Sequence, residues 1–177
     1  MSKVVDLKQY RTRKAEFKSY GAWQKRFGEI YTENTRLADL SHRVVSYLAT
    51  PGDDSNRAFY ELIMGTLGYG PAAGFYSLGS EEQLKVVDIH LFLADQVRFE
   101  MMRRIGWIAA LAAADYALIE LVRNFDRLKI ALRNRPPELA ATHPEYEKYK
   151  ALSVREREVF VRQMLRSALD QFVKNNG

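Results

Sequence analysis

Apolar residues recur three or four positions apart along most of the chain, which is the spacing of one face of an α-helix. Val, Ile and Thr occur singly or in pairs and not in the alternating runs typical of strands. The pattern predicts helices over about residues 7–27 and 29–49, and from Asp54 or Ser55 to Leu67, where Gly68 ends the third. The chain is therefore predicted to be an all-α bundle of five to seven helices.

A long helical stretch runs over residues 81–133. As one rod it would extend roughly 80 Å, whereas a compact domain of this length is about 40 Å across. Gly106 lies near its middle and lowers helix stability there. We therefore expect two long central helices, broken near Gly106.

The second half of this stretch carries an uninterrupted apolar seam with alternating spacings of four and three. Its members are Trp107, Leu111, Ala114, Leu118, Leu121, Phe125, Leu128 and Leu132. Such a seam favours packing inside the monomer, and self-association into a homodimer is the alternative.

Two segments have the sequence of a helix-starting capping box, in which a serine hydroxyl and a side chain three residues later bond to backbone N–H groups. They are Ser80 with Gln83, and Ser153 with Glu156. The second is followed by apolar positions from Phe160 to Phe172, which predict a last helix.

The net charge of +5 is concentrated at the start of the chain. Residues 1–27, here called the basic arm, hold eight bases and two acids, whereas the remaining 150 residues hold 19 bases and 20 acids. We expect this amphipathic arm to precede a single helical-bundle domain over residues 28–177. Its candidate contacts with an anionic partner are Lys8, Arg11, Arg13, Lys14, Lys18, Lys25 and Arg26.

The arm has two interpretations. Its cations can bind nucleic-acid phosphates, an anionic membrane surface or an acidic protein groove. Alternatively, its aromatic residues, among them Phe17, Tyr20 and Phe27, dock onto the bundle and leave the cations in solvent.

Composition narrows the remaining chemistry. The chain contains no cysteine, so disulfides, thiolate metal sites and a cysteine nucleophile are excluded. Residues 1–24 lack a secretory apolar run, and Asp115 interrupts the apolar stretch 105–122, so we expect a cytoplasmic protein without a membrane span. His42, His90 and His143 stand alone, and we predict neither a metal site nor a cofactor.

Asp88 and Asp95 are seven residues apart in an apolar helix, on the face that also carries Phe92 and Phe99. A carboxylate on such a face has to be paired, protonated or turned to solvent. One interpretation is that each pairs with an arginine or a helix end of a neighbouring element. The other is a polar ligand pocket between helices, with Met102 in its lining and with Glu61 and His90 as further candidates.

These features predict a non-enzymatic protein-interaction or regulatory module. A nucleic-acid-binding protein that uses the basic arm is one alternative. A helical-bundle enzyme or small-ligand binder with a pocket around Asp88 and Asp95 is another. No catalytic residue is assigned.

Overall fold

The computed structural model describes residues 19–176, and helices dominate this part of the chain. This confirms the all-α expectation, but the described residues form nine α-helices instead of five to seven, because several expected long helices are divided into shorter ones. The α-helices are α1 (19–27), α2 (His42–Ala49), α3 (Asp53–Leu67), α4 (Ser80–Arg104), α5 (Leu118–Arg123), α6 (Phe125–Arg133), α7 (Tyr146–Lys150), α8 (Val154–Arg162) and α9 (Leu165–Asn176). Shorter 3-10 segments cover Leu37–Asp39, Ala72–Ser77 and Ala112–Asp115.

Helix α4 is the centre of the molecule. It packs against α2, α3 and α9, and its residues Val86, Ile89, Leu93 and Val97 are buried. Four buried side chains at spacings of three and four give α4 a continuous apolar stripe. The rest of the fold is arranged around this helix.

Helix α1 is fastened to the body by buried side chains. Tyr20, Trp23 and Phe27 are at most 5% exposed, and the Trp23 indole N–H donates to the Ala58 carbonyl of α3 at 2.7 Å. The described part of the basic arm thus packs with the domain. Residues 1–18 lie outside the described part of the chain, and with them the candidates Lys8, Arg11, Arg13, Lys14 and Lys18.

The second long central helix is not formed. Helix α4 ends at Arg104, and Gly106 has φ +82°, a left-handed conformation that favours glycine and ends a helix. The chain then forms strand β1 (Ile108–Ala110), antiparallel to β2 (Glu138–Leu139), before helical structure resumes with α5 and α6. The expected break at Gly106 is correct, but the seam beyond it is divided among a strand, a 3-10 segment and two short helices.

The seam residues nevertheless lie inside the molecule. From Leu111 to Leu132 they are buried, and Trp107 is half-buried against the ring of His143. The spacing therefore marked burial correctly and secondary structure incorrectly. Packing within the chain occupies the face that a seam-mediated homodimer would need.

Two further helix boundaries differ from expectation. Residues 29–41 form turns, a bridge between Arg36 and Ala117 and the 3-10 segment at 37–39, so only 42–49 of the expected 29–49 helix forms. The expected last helix is divided into α8 and α9 near Gln163. Among the helices that the structure describes, none is long and apolar enough to cross a membrane.

The two capping-box sequences behave differently. Ser153 and Glu156 form the reciprocal bonds, with Ser153 Oγ accepting from the Glu156 N–H and Glu156 Oε2 accepting from the Ser153 N–H. At α4, Gly79 takes the cap position and Ser80 is already helical, so that box does not form. Gln83 instead donates its side-chain N–H to the Leu78 carbonyl at 3.1 Å.

Candidate functional site

Asp88, Phe92, Asp95 and Phe99 line one side of a cleft of about 280 Å³. Their spacings of four, three and four place all of them on one face of α4. The cleft is closed by α6, α8 and the segments around residues 111–113 and 135–137, and is called the α4–α6 cleft below. Leu91 and Gln96 of α4 also line it; the other elements contribute Leu111, Ala113, Lys129, Leu132, Arg133, Arg135, Pro137, Glu158 and Arg162.

Asp95 is paired, as the first interpretation of this face requires. Its Oδ2 lies 3.0 Å from Nη2 of Arg162, which also contacts Oε1 of Glu158 at 2.8 Å. Burial raises the pKa of Asp95, and the neighbouring charges of Arg162 and Arg98 oppose that shift. Arg162 therefore neutralises part of the acidic charge in the cleft and fixes α8 to α4.

Gln96 is the least expected member of the cleft. The residue is only 8% exposed and lines the cleft, and its side-chain amide makes no hydrogen bond with any residue in the described range. Its amide nitrogen and oxygen are not withdrawn from water, because they keep access to solvent at the cleft. The position of Gln96 leaves one donor group and one acceptor group free for a molecule in the cleft.

Cations line the opposite side. Lys129 and Arg133 are one helical turn apart on α6, and Arg135 follows just after that helix. The Lys129 ammonium lies 5.3 Å from the ring centroid of Phe125, and that ring packs edge-on against Phe92 at 5.4 Å. Within residues 19–176, none of the three cations forms an ion pair with a carboxylate.

The structure does not bring Glu61, His90 or Met102 to this cleft. His90 points from α4 toward α3, where it packs against Phe59 at 5.3 Å and Tyr60 at 5.2 Å, and burial lowers its pKa. Met102 is completely buried in the core and is not part of the cleft lining. A step of two residues on a helix turns a side chain to nearly the opposite side, which separates His90 from Asp88.

Glu61 lies beside a second hollow, of about 520 Å³, with walls mainly of glycine and alanine. Its carboxylate pairs with Arg26 at 2.5 Å and with Arg57 at 3.8 Å, and Arg26 also donates to the Tyr47 hydroxyl at 3.0 Å. Arg26, a candidate of the basic arm, is thus engaged inside the protein. The second hollow is larger than the cleft, but its charged groups already satisfy each other.

A second set of charges on α4 serves as a reference for the cleft. Glu100 is fully buried; Arg103 Nη2 lies 2.5 Å from its Oε1, and Arg104 Nε lies 3.9 Å from its Oε2. Arg104 also donates to the carbonyls of Leu37 and Ala38 at 3.2 and 3.3 Å. These three residues, the Glu100 cluster, tie α4 to the segment before α2.

Among the described residues, no group of three or more histidine, aspartate or glutamate side chains is placed to hold a metal ion. His42 contacts Arg104 and Phe172, and His143 accepts from the Glu145 N–H at 3.1 Å. The three histidines therefore occupy three separate environments.

Comparison of the chain with models of known families, with curated proteins and with solved structures finds no match. The class of protein has to be argued from the site itself.

Proposed function

We propose that the protein binds a small anionic molecule in the α4–α6 cleft. The observation that carries the proposal is Gln96, a largely buried residue whose amide is open to the cleft and has no hydrogen-bond partner among the described residues. A ligand in the cleft that bonds to this amide takes the place of water at both its donor and its acceptor group. The sequence offers such a ligand pocket as an alternative, and the cleft contains four of the seven residues expected in it.

The charges of the cleft set the sign of the ligand. Asp95 and Glu158 share the guanidinium of Arg162, so these three side chains largely compensate each other. Lys129, Arg133 and Arg135 then face only Asp88 as an uncommitted acid in the lining. The surplus is positive and lies on the α6 side, which favours an anionic group there.

The size of the cleft limits the ligand to a metabolite. Ligand sites have volumes of roughly 300–1,000 Å³, and the cleft, at about 280 Å³, lies just below this range. The apolar side chains of Phe92, Leu111 and Leu132 provide the burial that polar contacts alone would not give.

The test is thermal unfolding of the full chain with a panel of small phosphorylated and carboxylated metabolites, followed by calorimetric titration of those that stabilise it. At a concentration of 100 times Kd a ligand adds about 2.7 kcal/mol, which for a domain of this size raises the Tm by roughly 5–10 °C. We expect that rise in the wild type and its loss in Gln96→Leu.

Gln171→Leu on α9 is the matched control, because Gln171 is exposed and lies outside the cleft lining. It should keep the full ligand effect. If no anion stabilises the wild type, or if Gln96→Leu responds as strongly as Gln171→Leu, the cleft is not the binding site and the proposal is wrong.

A further inference from the structure

We propose that the anion is a phosphomonoester and that it carries a planar ring with hydrogen-bonding groups. This inference rests on the proposed function and identifies the class of ligand that the α4–α6 cleft takes. The α6 side of the cleft determines which charged group the ligand carries, and the α4 side determines the shape and polarity of the rest of the ligand.

The cations on and after α6 determine the charged group of the ligand. Lys129 and Arg133 occupy successive turns of one helix face, and Arg135, two residues after the end of α6, also lines the cleft. A carboxylate brings one negative charge, whereas a phosphomonoester brings about −1.5 to −2 at pH 7 and three acceptor oxygens. Guanidinium groups bind such oxygens in pairs. Three cations that line the same cleft therefore fit a phosphate better than a carboxylate.

The apolar wall on α4 determines the uncharged part of the ligand. The half-buried Phe92 lies on the wall of the cleft with Leu111, Leu132 and Pro137 around it, and the fully buried Phe99 lies behind this wall. Apolar walls of this kind accommodate a flat ring, whose faces are apolar, and do not compensate the hydroxyl groups of a sugar. We therefore expect the ligand to contain a planar ring, which a phosphorylated sugar alone lacks.

Polar groups at the edge of that wall specify the ring further. The Gln96 amide offers a donor and an acceptor side by side. Asp95 uses Oδ2 for Arg162, and its Oδ1 has no hydrogen-bond partner within residues 19–176, so it is a second acceptor. A ring whose edge presents both a donor and an acceptor satisfies these groups, whereas a plain hydrocarbon ring leaves Gln96 unpaired.

Two common sources share this chemistry, namely nucleoside monophosphates and phosphorylated pyridine vitamers. The experiment is calorimetric titration of the full chain with AMP, GMP, CMP, UMP and pyridoxine 5′-phosphate. Adenosine lacks the phosphate, ribose 5-phosphate lacks the ring, and 4-hydroxybenzoate replaces the phosphate by a carboxylate. We expect at least one ring phosphate to bind ten-fold or more tightly than all three of these comparison compounds, and the member that binds identifies the source.

Variants test which residues contact the phosphate and which contact the ring. The double variant Lys129→Ala, Arg133→Ala should weaken binding of the ring phosphate at least ten-fold and leave weak binding of the unphosphorylated ring unchanged. Gln96→Leu should weaken the ring phosphate and leave ribose 5-phosphate unchanged. Arg127→Ala, also on α6 but outside the cleft lining, is the control and should bind normally. Circular dichroism and the unfolding midpoint verify that each variant folds.

The outcomes distinguish the two proposals. If ribose 5-phosphate or 4-hydroxybenzoate binds as tightly as every ring phosphate, the ring-phosphate inference is wrong and the anion-binding function stands. If the metabolite panel and all the ring phosphates fail to bind, both are wrong. If binding persists in the Lys129/Arg133 double variant, the phosphate does not lie on α6 and the inference is overturned.

Discussion

The same helix, α4, holds two arginine–carboxylate groupings that differ in one respect. In the Glu100 cluster the carboxylate is fully buried between two arginines, and the spare donors of Arg104 reach two backbone carbonyls. At the α4–α6 cleft, Asp95 has one arginine and a free oxygen, and the neighbouring Gln96 amide has no partner within the described range. The first grouping is complete without a ligand, and the second is not. Satisfied polar groups hold a fold together, whereas unsatisfied ones at a cavity indicate what the cavity binds.

The largest expected effect breaks the complete grouping. Glu100→Gln removes the negative charge between Arg103 and Arg104, and Arg104 then stays buried without a counter-charge, its side chain 6% exposed. We expect a loss of about 3 kcal/mol in the free energy of unfolding, measured by urea denaturation. The matched variant Glu158→Gln breaks an exposed pair with Arg162 and should cost less than about 1 kcal/mol. Equal losses in the two variants would contradict the contrast between the groupings.

A smaller effect of opposite sign is expected at the incomplete grouping. Gln96→Leu replaces an amide that has no protein partner by an apolar side chain of similar size in a largely buried position, so the free energy of unfolding should rise by up to about 1 kcal/mol in the absence of ligand. The same denaturation experiment measures it, with Gln171→Leu expected to change stability by less than about 0.5 kcal/mol. A clear loss of stability in Gln96→Leu would show that the amide has a structural partner.

The smallest effect concerns the charge of Asp95. Burial already holds the folded-state pKa of Asp95 above its ordinary value, and Arg162 opposes this, so Arg162→Met should raise the pKa of Asp95 further. Because the folded pKa exceeds the unfolded one, ionised Asp95 costs stability, and the cost develops as the pH rises from the unfolded pKa through the folded pKa. The variant should therefore be less stable than the wild type at pH 7 and approach it in acid.

A carbon-detected NMR titration of the Asp95 carboxyl group measures this shift directly. Arg166→Met is the control, since the charges that act on Asp95 are those of Arg162, Arg98 and Glu158. An unchanged Asp95 titration in Arg162→Met would mean that the pair is absent in solution.

The part of the site on α4 could be predicted because it depends on local order alone. Residues 88, 92, 95 and 99 share a face of any α-helix that contains them, and α4 forms over the whole interval. Arg162 and Lys129 could not be found in this way, since they reach the cleft only through the packing of α8 and α6 against α4. Gln96 did leave a signal, as a polar residue between Ala94 and Val97 in an apolar stretch, but no local rule separates a free amide from a bonded one.

The fold shows the same division between local and tertiary information. Gly68 and Gly106 end helices where their conformational freedom predicts it, and both adopt positive φ. The long helix predicted from the seam, Trp107 to Leu132, does not form. A spacing of three and four reports which residues are buried, and a strand followed by short helices can bury the same set. The pairing of Ile108 with Leu139 that decides between these arrangements joins residues about thirty positions apart.

The anchoring of α1 determines where the chain can be shortened to test the function of the basic arm. A cut after Phe27 would delete Trp23 together with its bond to Ala58, so lost nucleic-acid binding would be confounded with a damaged domain. A cut after Lys18 keeps the Trp23 and Arg26 anchors and still removes six of the eight bases of the basic arm. Retention of native unfolding behaviour after the shorter deletion makes the salt dependence of nucleic-acid binding interpretable.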